Sequence, residues 1–293
     1  MTVLRAEIMK TTKRWMPYVL FLFMLAGAAV VIWLFGYVGW RSDRDSAESG
    51  FGFESLFTLA FPWSIQALLD NGQFYGAVIF VAILTSSSVA TEYNWGTARG
   101  ALIRGQSRAR YLLTKLAGTV IICTAFLLVT LMVGILFSLL ATAIADKPMT
   151  LDVPAGPSIP EIGLMILRAA ISIVPYGLLA FMLAVVGRST ALGVAGCMGY
   201  MFAEQIVIAI LRNLSGVWND IPDFLIGTHV SSLIAANRFG NVDYISFAPR
   251  ERPEAGDLPD PWLAVLAITA WCAVLLAITF FVFLRRDLQT RDV

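Results

Sequence analysis

Residues 162–211 read IGLMILRAAISIVPYGLLAFMLAVVG, then RST, then ALGVAGCMGYMFAEQIVIAIL. The two apolar runs are 26 and 21 residues long, and only a three-residue polar turn separates them. About 20 apolar residues carry a helix across the hydrocarbon core of a bilayer. A turn this short leaves two such helices as antiparallel neighbours, so the segment predicts a membrane-spanning helical hairpin.

Working outward, four more runs reach comparable length, at 17–40, 74–91, 116–145 and 262–284. Period-2 alternation, the mark of a transmembrane barrel, is absent, which leaves helices to satisfy the backbone in lipid. Composition agrees. Of the 293 residues 58% are hydrophobic and 14% charged, against about 25% charged in an ordinary soluble domain. The expected fold is an all-α integral membrane protein with six transmembrane helices, forming a single membrane domain over residues 1–293. Residues 51–69 are also apolar, but Glu54, Pro62 and Gln66 mark them as an amphipathic segment on the outer surface.

Net charge is only +1, which excludes the basic excess of a nucleic-acid binder. Its distribution is informative. With the N-terminus inside, cytoplasmic segments hold 13 of the 21 Lys and Arg residues and only four acids. The outer segments, including the long loop 212–261, hold seven cations and 15 acids. The positive-inside rule then puts both termini in the cytoplasm of a multi-pass protein of the cell membrane. The first apolar run is too long for a secretory h-region, so it is expected to stay attached as the first span.

Leu4, Ile8 and Trp15 recur along one side of the N-terminus, with Arg5, Lys10, Lys13 and Arg14 mostly on the other. This suits an N-terminal interfacial helix resting on lipid headgroups, or a basic flank that orients the first span. The largest cytoplasmic piece runs from Glu92 to Lys115. It passes through Trp95, Gly96, Thr97, Arg99 and Arg104, breaks at Gly105, and restarts at Ser107 as a cap for Arg108, Arg110 and Lys115. An amphipathic helix slung between two spans suits reception of a push from a soluble partner; an ordinary basic loop is the simpler reading.

Inside the spans, Arg168 and Glu204 are costly unless paired or facing a cavity. Each lies eight residues from the outer end of its span, about 12 Å deep at 1.5 Å per residue, so an ion pair between neighbouring helices is geometrically reasonable. Hydroxyls cluster at Thr85, Ser86, Ser87, Ser88 and Thr91 and read mainly as packing groups. Small residues repeat every fourth position at Ser189, Gly193, Cys197 and at Ala195, Gly199, Ala203, suiting close helix packing or a dimer seam. Within the outer loop, 221–239 has helical apolar spacing and reads as a cap over the bundle.

Nucleotide and catalytic signatures are missing. Gly187-Arg188-Ser189-Thr190 resembles the end of a P-loop, but residue 188 is Arg and Met182 replaces the first glycine. His229 is the lone histidine, and the three cysteines are dispersed, so neither a metal centre nor a disulfide framework is expected.

The ordered set Glu92, Gly96-Thr97, Ser107-Arg108 and Lys115, with the ending Phe283-Leu284-Arg285-Arg286-Asp287, resembles the membrane permeases of the ABC type-2 exporter family. The strong motif covers about 30 residues. The resemblance implies a permease that pairs with a second copy, as a homodimer or less commonly a heterodimer, and binds a separate cytoplasmic ATP-binding subunit. Glu92, Gly96, Thr97, Arg108 and Lys115 would belong to a cytoplasmic coupling helix seated on that ATPase. Trp95, Arg99 and Arg104 lie in the same piece. This chain itself would be no enzyme and carry no cofactor, ATP and Mg being held by the partner. Membrane lipid and an extracytoplasmic partner complete the expected contacts. Arg168 and Glu204 depart from the family pattern. An ion-gradient-driven secondary transporter and a non-transporting membrane scaffold remain the rivals.

Overall fold

The computed structural model describes residues 5–6, 9–10, 12–29, 71–96, 100, 103, 107–144, 158–214, 218, 220–237 and 258–285. Within them lie seven α-helices and one short 3-10 turn, and no strand. The helices are α1 (Trp15–Ala29), α2 (Asn71–Asn94), α3 (Arg108–Ile144), α4 (Ile159–Gly187), α5 (Thr190–Arg212), α6 (Ile226–Ala235) and α7 (Pro261–Arg285). Ile221–Phe224 forms the 3-10 turn ahead of α6.

Among the described residues four helices, within α3, α4, α5 and α7, are long and apolar enough to cross a membrane, and shorter apolar helices at Trp15–Gly27 and Ala77–Tyr93 overlap parts of the first two expected spans. Large apolar side chains such as Val120, Met132, Leu136, Phe202 and Leu266 stand exposed on the outside of the bundle. Water would penalise such a surface and hydrocarbon would not. The all-helical membrane architecture expected from the sequence is present in this coarse form. The amphipathic segment expected at 51–69 and residues 30–40 of the run 17–40 lie outside the described residues.

One helix organises the rest. The most hydrophobic stretch of α4 is 61% buried, against 12–17% for the corresponding stretches of α3, α5 and α7. Tyr176, Leu179 and Ala180 of α4 pack in one cluster with Val78 and Val81 of α2, Met201 of α5, Leu233 of α6 and Ile268 of α7. The sequence explains both ends of α4. At its start the Glu161 carboxylate accepts hydrogen bonds from the Ser158 backbone N–H at 2.6 Å and hydroxyl at 2.8 Å, with Pro160 in the first turn. At its end Arg188 adopts φ 49°, the left-handed conformation that stops a helix. Ser189 then accepts from the Leu192 N–H to open α5. The three-residue turn therefore makes the expected antiparallel hairpin.

Close approach within the core depends on Gly193. A Cβ there would fall 2.3 Å from Ser86 Oγ and 2.9 Å from the Ala180 carbonyl oxygen, so α2, α4 and α5 meet at a point that admits no side chain. Of the two small-residue faces of α5, Gly193 and Cys197 are buried, whereas Ala195, Gly199 and Ala203 face outward.

Candidate functional site

The candidate coupling region centres on Glu92, one residue beyond the expected end of the second span. α2 carries it into the first turns of α3, where the Lys115 ammonium lies 2.8 Å from Oε1, both side chains being 3% exposed. Lys115 also donates to the Ser88 carbonyl at 3.1 Å. Tyr111, one turn earlier on α3, donates its hydroxyl to Oε2 of Glu92. Lys10 of the N-terminal segment reaches Oε1 at 3.2 Å from the exposed side. Burial alone would raise the Glu92 carboxyl. Burial is the largest single influence, but the Lys115 charge, the Lys115 and Tyr111 hydrogen bonds and Lys10 together outweigh it and hold the carboxyl below its ordinary value.

Further contacts fasten this end of the bundle. Arg14 donates to the Thr91 hydroxyl at 2.8 Å and lies over the Trp95 ring at 5.3 Å. Arg108 donates to the Leu284 carbonyl at 2.9 Å, tying the start of α3 to the last turn of α7. Tyr111 stacks on Phe283 with ring centroids 5.7 Å apart. Arg188 lies over Tyr93 at 5.9 Å. The chain leaves α2 through Gly96 at φ +66°, a conformation glycine adopts without cost.

Of the residues singled out in the sequence, Glu92 and Lys115 meet directly, Arg108 serves a different helix end, and Trp95 is exposed beside Arg14. Thr97, Arg99 and Arg104, and with them the body of the expected coupling helix, lie outside the described residues. Sequence reading missed Tyr111, and it assigned Lys10 and Arg14 to lipid headgroups or to an orienting basic flank, whereas they reach Glu92 and Thr91. The spacing of Tyr111 and Lys115, four apart on one helix face, was the available signal.

Arg168 and Glu204 do not pair with each other. Glu204 on α5 accepts hydrogen bonds from Tyr176 at 3.0 Å, from Tyr200 at 3.0 Å and from the Gly227 backbone N–H at 2.9 Å. Arg168 on α4 donates to the Ala236 carbonyl at 2.6 Å. The expected ion pair is replaced by two backbone attachments, one at each end of α6. Helix ends carry unpaired N–H and C=O groups that need partners where water is scarce. Leu225, at the N-cap of α6, offers no side-chain cap, and the acid from α5 takes that place.

The segment between α5 and α7, expected on the outer side, is drawn into the protein where it is described. The extended Leu225 divides it into the 3-10 turn and α6, and eight of the ten α6 residues are buried. Ser232 donates to the Pro259 carbonyl at 2.6 Å, Asn237 to the Met165 carbonyl at 3.2 Å, and Trp271 of α7 to the Phe224 carbonyl at 2.9 Å. Among the described residues, Thr228 Oγ1, His229 Nδ1 and Asn237 Oδ1 are buried without a hydrogen-bond partner. Burial holds the His229 imidazole below its ordinary value, with Asp223 partly opposing.

Four of the five clustered hydroxyls bond back within α2: Thr85 to Val81 O, Ser87 to Leu84 O, Ser88 to Thr85 O, and Thr91 to Ser87 O. Ser86 crosses to α4, donating to the Ala180 carbonyl at 3.4 Å, and the Ser88 and Thr119 hydroxyls bond each other between α2 and α3 at 3.2 Å.

Residues 29–289 fit the family described as "Protein of unknown function (DUF2705)". The chain belongs to the DUF2705 family. No curated protein matches this DUF2705 chain.

Proposed function

We propose that this DUF2705 chain is the membrane permease subunit of an ATP-driven exporter, with ATP and Mg bound on a separate cytoplasmic subunit. The reading takes the chain as six spans with both termini in the cytoplasm, working as a pair of copies. One observation carries it: the buried Glu92–Lys115 ion pair fastens together the two helices that flank the loop 95–107. A force applied to that loop then displaces the ends of α2 and α3 as one unit, and α4 packs directly on α2. Rocking of such packed helices is a general route from a soluble partner's motion to altered access within a membrane domain. The outward face of Ala195, Gly199 and Ala203 supports a close seam with a second copy.

The test is co-purification of the chain with an ATP-binding subunit encoded beside it, followed by ATP hydrolysis in vesicles. The reading requires a stable complex whose hydrolysis changes when the permease carries Glu92→Ala. Purification of the intact chain with no ATPase bound, under conditions that preserve other permease complexes, would refute it. Flux that persists without ATP and collapses with a protonophore would point to a gradient-driven carrier instead.

A further inference from the structure

Two cations of the N-terminal segment serve a use that excludes the one their position suits. Just ahead of α1, the Met9 carbonyl accepts from the Lys13 N–H at 3.1 Å and from the Thr12 hydroxyl at 3.2 Å, closing a helical turn. The turn leads into Trp15, 85% exposed at the head of an apolar helix. Tryptophan in that place marks the level of the membrane–water interface, and Arg5, Lys10 and Lys13 stand exposed in the chain just before it. Cations at this level are drawn to anionic headgroups. Yet Lys10 reaches across to Glu92 at 3.2 Å, while Arg14 donates to the Thr91 hydroxyl at 2.8 Å and lies over the Trp95 ring. These partners belong to the last turn of α2 and the residue that follows it.

Glu92 and Thr91 are satisfied without these cations. When Lys10 leaves, Glu92 keeps the Lys115 ammonium at 2.8 Å and the Tyr111 hydroxyl. When Arg14 leaves, the Thr91 hydroxyl still donates to the Ser87 carbonyl. Departure of the turn therefore strands no buried charge or donor on α2, the outcome that makes most broken contacts costly. The Lys10 side chain is 55% exposed even when docked, so a phosphate can approach its ammonium from water. An exposed ion pair and an exposed cation–π contact are weak, of the same order as the pull of an anionic surface on one Lys or Arg. The two uses exclude each other and lie close in free energy.

We propose that the turn bearing Lys10 and Arg14 is a detachable strap, docked on the end of α2 over a neutral membrane and drawn off it by an anionic lipid surface. The strap lies beside the loop 95–107, so on the permease reading it would tie the ATPase-facing loop to lipid composition. The proposal rests on the chain's place in a membrane and not on that reading, because docking and release need neither ATPase nor transport.

The test uses the full-length chain with spin labels attached through p-acetylphenylalanine at Thr12 and at Ala191, both exposed, the latter on the first turn of α5. The three cysteines stay in place. Label-to-label distances are measured by electron paramagnetic resonance in phosphatidylcholine vesicles and in vesicles containing about one third phosphatidylglycerol. The expected result in phosphatidylcholine is one narrow distance. Phosphatidylglycerol should replace it with a broader, different one, lowering the ratio of docked to released strap roughly tenfold. Lys10→Gln combined with Arg14→Gln should give the released distribution in both lipids. Glycerol 1-phosphate, added to phosphatidylcholine vesicles at the same phosphate concentration, should leave the strap docked, because a free phosphate brings no charged surface. An unchanged distance between the two lipids overturns the proposal. So does release by glycerol phosphate equal to that by lipid, or a double variant that still responds to phosphatidylglycerol. The lipid comparison decides the matter even if the double variant does not fold.

Discussion

Glu204 and Arg168 hold opposite ends of one helix. The carboxyl of Glu204 accepts from the N–H of Gly227 at 2.9 Å, and the guanidinium of Arg168 donates to the carbonyl of Ala236 at 2.6 Å. An acidic group at the start of α6 and a cation at its end match the sense of the helix dipole, each worth about 0.3–1 kcal/mol when exposed and up to about 2 kcal/mol when partly buried. Two residues expected to pair with each other or to face a cavity instead hold α6 against the bundle.

This clamp is tested by removing one end at a time. Glu204→Ala leaves the Gly227 N–H and the Tyr176 and Tyr200 hydroxyls without their acceptor. The expected loss is about 1–3 kcal/mol for the Gly227 N–H left buried and unbonded, seen as a lower apparent Tm and faster proteolysis near α6. Gly227→Ala should act in the same direction, because its Cβ would lie 2.9 Å from a Glu204 oxygen. An unchanged proteolysis pattern in both variants would show that α6 is held elsewhere.

At the other end of the bundle, Glu92→Gln should be strongly destabilising, because it strands the buried Lys115 charge. Breaking a buried pair from one side costs about 3–5 kcal/mol, whereas replacing both partners is often neutral. The double variant Glu92→Gln with Lys115→Met is therefore expected to recover most of the lost Tm. On the permease reading, a recovered protein that fails to alter the hydrolysis of a bound ATPase would show that the ion pair transmits force as well as holding the fold.

His229 makes stability depend on pH. Burial disfavours its charged form, so its folded-state value lies below the ordinary value near 6.5. A depressed histidine contributes nothing at high pH, where both states are neutral. It destabilises the fold as pH falls below the unfolded value, since the unfolded chain then binds the extra proton. Apparent Tm should fall on acidification below about pH 6.5, and His229→Leu should flatten that part of the profile. The same change removes the unpartnered Nδ1, so it should raise Tm at neutral pH by an amount corresponding to about 1 kcal/mol.

A second copy seated on the outer face of α5 would bring the two Gly199 positions close together. A Cβ at this glycine meets nothing within 4 Å in the single chain, so Gly199→Cys is expected to fold normally. In membranes under mild oxidation it should form a disulfide-linked dimer on non-reducing gels, whereas a cysteine placed at the exposed Leu263 should not. Equal cross-linking at both positions would place the seam elsewhere.

The sequence by itself determined the class of architecture. Apolar runs long enough to cross a bilayer, and the three-residue turn at 188–190, constrain the local backbone so strongly that α4 and α5 form where expected. It also located the residues that need explaining, because a charge inside an apolar run is costly wherever it ends up. The partners of those charges were decided only by the tertiary structure. Side-chain spacing gives depth along a helix but not rotation about its axis. Arg168 and Glu204 matched in depth yet turn toward the two ends of α6, a helix supplied by a distant loop. Glu92 and Lys115 could be named singly from the sequence, but their meeting depends on how α2 lies against α3.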